Sequence, residues 1–110
     1  QVLAIYLNRK KANSLMKHYI VIRFNDKVID KSKTIADLTE FFKDSAKLKG
    51  LSEYKVSPCC VKLPNRFDCL ITLTFDSVDS LMSYDESSFH RDFKKEFGPY
   101  FSTKVIFDEE

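Results

Sequence analysis

Two histidines are the residues of this 110-residue chain best suited to acid–base chemistry. His18 lies in an alternating, strand-like run, and His90 lies at the start of a helical pattern, shortly after Tyr84. An imidazole exchanges protons near neutral pH, so His90 is a candidate general base. Tyr84 could hydrogen-bond that imidazole or a developing enolate oxygen, and His18 could polarise a carbonyl group. The alternative is structural: these side chains would then only tie a helix to the sheet through hydrogen bonds.

Other kinds of site find less support in the residue pattern. The chain has only two glycines and no glycine-rich phosphate loop, so we expect no nucleotide or other cofactor. Asp68 and Asp108 lie near strand ends and could hold a cation together with His90. Because nothing in their spacing requires a cation, we predict no metal site.

Composition excludes several classes of protein. Hydrophobic residues make up 44% of the chain and charged residues 31%, which is typical of a soluble, globular domain. A net charge of +2 on interspersed lysines argues against nucleic acid as a partner. No run approaches the roughly 18 apolar residues that span a membrane. The three cysteines, Cys59, Cys60 and Cys69, lack the spacing of a metal site and indicate a reducing, cytoplasmic setting. The sequence does not exclude that one of them is a reactive thiol.

The elements that must position the candidate residues follow from hydrophobic periodicity. In the first strand, alternation places His18, Ile20, Ile22 and Phe24 on one face. The pattern predicts a strand at 17–24, a helix from Ser32 to Gly50, and strands at 53–61 and 67–75. A second helix is predicted to begin at Asp76 or Ser77, to break and restart near Ser87, and to stop at Gly98-Pro99. A last strand is predicted at 103–108.

The order β-α-β-β-α-β predicts an α+β, ferredoxin-like fold, in which helices cover one face of a four-stranded antiparallel sheet. The opposite face is also partly apolar, with Tyr19, Val21, Leu70 and residues of the last strand. Exposing apolar surface costs about 25 cal/mol per Å². We therefore predict a homodimer that pairs through the helix-free sheet face.

The first fifteen residues differ from the rest of the chain. We expect residues 1–15 to be an extension, either upstream of a start at Met16 or left over from cloning, and residues 16–110 to form the domain.

Several segments together resemble the stress-responsive dimeric α/β-barrel (Dabb) family. The segments are the first strand from Lys17 to Phe24, Phe67-Asp68, the run from Thr74 to Tyr84, His90, and Val105 to Asp108. The resemblance covers the chain from about Met16 onward and implies that two ferredoxin-like protomers pair their sheets into a dimeric α/β barrel.

The resemblance also implies a site. A plant branch of the family cyclises poly-β-keto chains by aldol chemistry without a cofactor, in a pocket between sheet and helices. The matching residues here are His18, Tyr84 and His90. We expect the apolar part of such a pocket to include Ile20, Ile22, Phe41, Phe89 and Phe93, although phenylalanines at this spacing are usually core residues.

One departure from the family pattern limits what the resemblance implies. The family often has histidine and proline where this chain has Ser87 and Ser88, so the helix start and the rim of the pocket are expected to differ. Three functions remain: a stress-related protein that binds a small apolar or aromatic molecule, a cofactor-free acid–base enzyme that uses His90 with Tyr84 and His18, and a cofactor-free monooxygenase.

Overall fold

The structure is a computed structural model that describes residues 15–110. Its elements are β1 (Met16–Phe24), α1 (Lys31–Phe42), β2 (Leu51–Pro58), β3 (Cys69–Phe75), α2 (Val78–Asp85), α3 (Ser88–Phe97) and β4 (Phe101–Glu109). The four strands form one antiparallel sheet in the order β2-β3-β1-β4. The predicted ferredoxin-like α+β fold is confirmed. Apart from Leu15, the predicted N-terminal extension lies outside the described residues.

The core lies between the sheet and the helices. Alternation along β1 buries Met16, His18, Ile20, Ile22 and Phe24 against the helices. The partner strand β3 buries its own alternate residues on the same side, and helix residues such as Leu38, Phe42 and Phe93 complete the layer. Each such apolar side chain stabilises the fold by about 1.5–3 kcal/mol when it leaves water. The predicted inward face of the first strand is confirmed.

The first helix begins and ends earlier than predicted. Asp30, and not Ser32, caps it, because the Asp30 carboxylate accepts a hydrogen bond from the backbone N–H of Lys33 at 3.1 Å. After Phe42 the chain continues as a 3-10 turn over Lys43–Lys47. Gly50 then takes a φ of +80°, which lets β2 begin directly at Leu51.

The predicted break in the second helix is present and places two candidate residues. Ser87 caps α3, and its hydroxyl accepts a hydrogen bond from the His90 N–H at 3.1 Å. The same hydroxyl donates to the carbonyl oxygen of Tyr84 at 2.6 Å. One serine therefore links the backbone of Tyr84 at the end of α2 to that of His90 at the start of α3.

The helix-free face of the sheet is apolar in its middle. Phe107 is 60% exposed and Val105 46% exposed. The Phe107 ring lies 6.3 Å from the ring of Tyr19 on β1, centroid to centroid.

Among residues 15–110, no helix is long and apolar enough to cross a membrane.

Candidate functional site

A cleft of about 300 Å³ lies between the β1–β4 side of the sheet and helices α2 and α3. Its wall combines apolar side chains with histidines, lysines and carboxylates. The lining residues are His18, Ile20, Leu81, Met82, Asp85, His90, Phe93, Lys94, Lys104, Ile106 and Asp108. Both histidines of the chain therefore face the same cavity, and they come from different layers of the fold.

His18 is held in place by the neighbouring strand. The antiparallel register sets His18 directly opposite Asp108 on β4. Its Nδ1 donates a hydrogen bond to the Asp108 carboxylate at 2.5 Å. This contact fixes the orientation of a nearly buried imidazole, and Nε2 is the ring nitrogen that remains for a ligand.

His90 has a different environment. Its Nδ1 is buried and has no hydrogen-bond partner among the described residues, whereas Nε2 lies 3.8 Å from the Asp85 carboxylate. Burial lowers the pKa of His90 below the ordinary value. The Asp85 carboxylate opposes this effect, and the ammonium groups of Lys94 and Lys104 lower the pKa further. A lowered pKa favours the neutral imidazole, which is the form that accepts a proton.

Tyr84 lies behind the cleft wall, between the two imidazoles. Its ring centroid is 5.6 Å from that of His18 and 5.0 Å from that of His90. Its hydroxyl is buried and has no hydrogen-bond partner among residues 15–110. Burial raises the pKa of Tyr84, so the phenol stays protonated and can act only as a neutral hydrogen-bond group.

These contacts bear on the purely structural role of the three residues. That role requires Tyr84 and His90 to hold the helices to the sheet through hydrogen bonds. Neither the Tyr84 hydroxyl nor the His90 Nδ1 makes one within the described part of the chain. His18 alone is anchored, and its anchor is the adjacent strand and not a helix.

The expected apolar pocket residues separate into two groups. Ile20 and Phe93 line the cleft. Ile22, Phe41 and Phe89 are not among the residues that line it. Ile22 is fully buried, and the rings of Phe41 and Phe89 lie 4.8 Å apart, where they fill the junction of α1 and α3. Phe41 also lines a separate cavity of about 830 Å³ beside α1, so its ring contributes both to helix packing and to that cavity.

Asp68 does not take part in the site. Its carboxylate accepts hydrogen bonds from the Lys31 ammonium and the Phe24 N–H, at 2.8 and 2.7 Å. The arrangement of Asp68, Asp108 and His90 considered for a cation therefore does not form. Within residues 15–110, no group of three histidine, cysteine or acidic side chains could hold a metal ion.

Three charged cleft residues were not considered in the sequence: Asp85, Lys94 and Lys104. Asp108 was considered only as a cation ligand with His90, and not as the hydrogen-bond partner of His18. Lys94 follows His90 by one helical turn, so it shares the His90 face of the helix. Alternation puts Lys104, Ile106 and Asp108 on one side of β4. The missing information was the register between β1 and β4, since only the register pairs Asp108 with His18.

Comparisons with known proteins agree with this architecture. A dimeric ferredoxin-like protein of unknown function from Thermobifida fusca is 20% identical, with a TM-score of 0.73 over 86% of this chain and 89% of that one. A Dabb family protein from Mesorhizobium loti is 12% identical, with a TM-score of 0.69 over 87% and 95%. A hydroxynitrile lyase from Passiflora edulis is 17% identical, with a TM-score of 0.70 over 88% and 93%.

At these identities, the solved structures establish the fold alone. A search of the curated proteins gave no match. A sequence model of the Stress Responsive A/B Barrel Domain family, Dabb, matches residues 16–110. The chain therefore belongs to the Dabb family of stress-responsive α/β-barrel domains.

Proposed function

We propose that this protein binds a small, partly apolar organic molecule in the cleft between the sheet and helices α2 and α3. The observation that carries the proposal is one cavity of about 300 Å³ that both imidazoles line. This volume is at the lower end of the range of small-molecule sites, and such sites combine apolar walls with a few convergent polar groups. Ile20, Phe93 and Ile106 would contact the apolar part of the ligand.

We further propose that the protein acts as a homodimer through its helix-free sheet face. Val105 and Phe107 on β4 leave large apolar areas in water, next to Tyr19 on β1. A second copy laid on this face would remove that cost. The Thermobifida fusca relative is described as dimeric, which supports the same arrangement here.

Free cysteine thiols are typical of a reducing, cytoplasmic location, which we propose for this protein. Cys59, Cys60 and Cys69 are all free. Burial raises the pKa of the Cys69 thiol to about 12, so this side chain behaves as an unreactive apolar residue.

Binding is tested by blocking the mouth of the cleft. Met82 lines the cleft and is 51% exposed, so a Met82→Trp side chain can occupy the opening without entering the core. Val61→Trp is the matched control, because Val61 is 42% exposed and lies outside the cleft. Ligands found by a thermal-shift screen of small aromatic compounds should lose at least about tenfold in affinity with Met82→Trp, or about 1.4 kcal/mol. Equal affinity for both variants would refute the proposal.

A second candidate function is cofactor-free acid–base catalysis on the bound molecule. The observation that favours it is that His90, with its lowered pKa, lines the same cleft as His18, while the protonated Tyr84 ring contacts both imidazoles. His90 would remove a proton from a carbon next to a carbonyl group. Because Nδ1 is buried, Nε2 is the nitrogen that would accept this proton. The imidazolium form of His18, with Nδ1 donating to Asp108, would polarise the carbonyl oxygen through its Nε2–H.

Hydrogen exchange tests this chemistry without knowledge of the natural substrate. Ethyl acetoacetate in D₂O exchanges its methylene protons, and nuclear magnetic resonance follows the rate above that of the buffer. We expect the wild-type protein to accelerate exchange and His90→Gln to abolish the acceleration. Lys47→Gln is the control, since Lys47 is an exposed lysine away from the cleft. Acceleration that persists in His90→Gln would exclude His90 as the base.

A further inference from the structure

Lys104 has an unusual position for a lysine on an edge strand. It pairs with Ile22 in the register of β1 and β4, so it lies on the helix side of the sheet with Ile106. The residue as a whole is exposed, but its ammonium group lies 5.9 Å from the centre of the Phe93 ring, at the wall of the cleft.

A second lysine lines the same cleft. This residue is Lys94 on α3, and its positive charge lowers the pKa of both His90 and Lys104. Burial lowers the pKa of Lys104, Lys94 lowers it further, and Asp85 opposes the shift. Among residues 15–110, no carboxylate lies within 4.0 Å of the Nζ of Lys94 or Lys104.

The carboxylates of the cleft have other neighbours. Asp108 accepts the hydrogen bond from His18, and Asp85 lies 3.8 Å from the Nε2 of His90. Two ammonium groups therefore face a partly apolar cavity without an ion-pair partner of their own. An anion between them would relieve their mutual repulsion and accept charge-assisted hydrogen bonds.

We propose that the ligand of this cleft is a small apolar carboxylic acid, bound as its carboxylate by Lys104 with Lys94. This inference rests on the proposed ligand-binding function and names the class of ligand. Its carboxylate would supply the ion-pair partner that neither ammonium group has among residues 15–110. The small volume leaves room for a compact aromatic or aliphatic body against Phe93 and Ile106.

Matched pairs of acids and amides test the charge and the shape of the ligand separately. The probes are 2-naphthoate with 2-naphthamide and cinnamate with cinnamamide, titrated against isotope-labelled protein by nuclear magnetic resonance. The wild-type protein should bind each carboxylate at least about tenfold more tightly than its amide. Lys104→Met keeps the aliphatic stem and should reduce this preference to less than about threefold, with amide affinity nearly unchanged. Lys47→Met, a change at an exposed lysine outside the cleft, should behave as wild type.

The possible results separate the two proposals. If the wild-type protein binds amides as tightly as acids, the carboxylate inference is wrong and the binding function stands. If Lys104→Met weakens acids and amides equally, Lys104 shapes the cavity and does not select charge, which also overturns the inference. If neither member of either pair binds the cleft, both the inference and the proposed function fail.

Discussion

The unpartnered hydroxyl of Tyr84 gives the sharpest prediction. Tyr84 is 2% exposed, and its hydroxyl makes no hydrogen bond with the described residues. A buried polar group without a partner costs about 1–3 kcal/mol. Tyr84→Phe removes that group and keeps the ring contacts with His18, His90 and Phe75.

The expected magnitude follows from two opposing contributions. Loss of the unpaired hydroxyl should stabilise the fold by about 1–3 kcal/mol. The small void left by one oxygen atom costs a few tenths of a kcal/mol, at about 24 cal/mol per Å³. We therefore expect Tyr84→Phe to raise the free energy of unfolding by about 1 kcal/mol and the Tm by about 4–8 °C.

Urea denaturation and thermal melts at one protein concentration measure this change. Tyr100→Phe is the control, since Tyr100 is 40% exposed and should change stability by less than about 0.5 kcal/mol. The same Tyr84→Phe protein should exchange ethyl acetoacetate protons more slowly, since stability and activity often oppose each other at a site. A loss of 1 kcal/mol or more of stability in Tyr84→Phe would show that the hydroxyl holds the fold together, and the reasoning would be refuted.

Three further predictions concern the turn, the dimer and pH. Gly50→Ala should lower the free energy of unfolding by about 1–3 kcal/mol in urea titrations, because φ is +80° and a Cβ would lie 2.1 Å from the Ser80 hydroxyl; unchanged stability would contradict this geometry. Phe107→Asp should convert the proposed dimer to a species near 12.9 kDa by light scattering, whereas a persistent dimer would place the interface elsewhere. The pKa of His90 is lower in the folded protein than the ordinary 6.5, so protonation of His90 opposes folding. The neutral ring contributes its full stability above about pH 6.5, and this contribution is lost as the pH falls through the folded-state pKa. The unfolding free energy should therefore fall less steeply below pH 6.5 in His90→Gln than in wild type, and identical slopes would contradict the assigned pKa direction.

The fold was largely predictable because local signals and the global pattern agree. The alternating side chains of β1 have one buried face, and a shift of the strand register by one residue would have exposed all of that face. Ser87 marks the break between α2 and α3 because its hydroxyl can cap a helix. The first helix cap was wrong by two residues, since Asp30 and Ser32 are both good caps and only the tertiary path of the loop selects between them.

The site was harder to predict because it depends on register and on which aromatic residues pack against one another. The sequence places His18, Tyr84 and His90 on inward faces, but it does not show that Asp108 pairs with His18. Nor does periodicity distinguish a phenylalanine that lines a cavity from one that fills a helix junction. Phe93 and Phe89 belong to the same helix, yet only Phe93 reaches the cleft.

The most direct test of the account observes both imidazoles while a ligand binds. Protein labelled with ¹⁵N at histidine gives separate ring signals for His18 and His90, since the chain has only these two histidines. Titration with a small organic acid should shift the ring nitrogens of both residues with the same Kd. Saturable binding that leaves both rings unperturbed would show that the ligand site lies outside this cleft and would contradict the account.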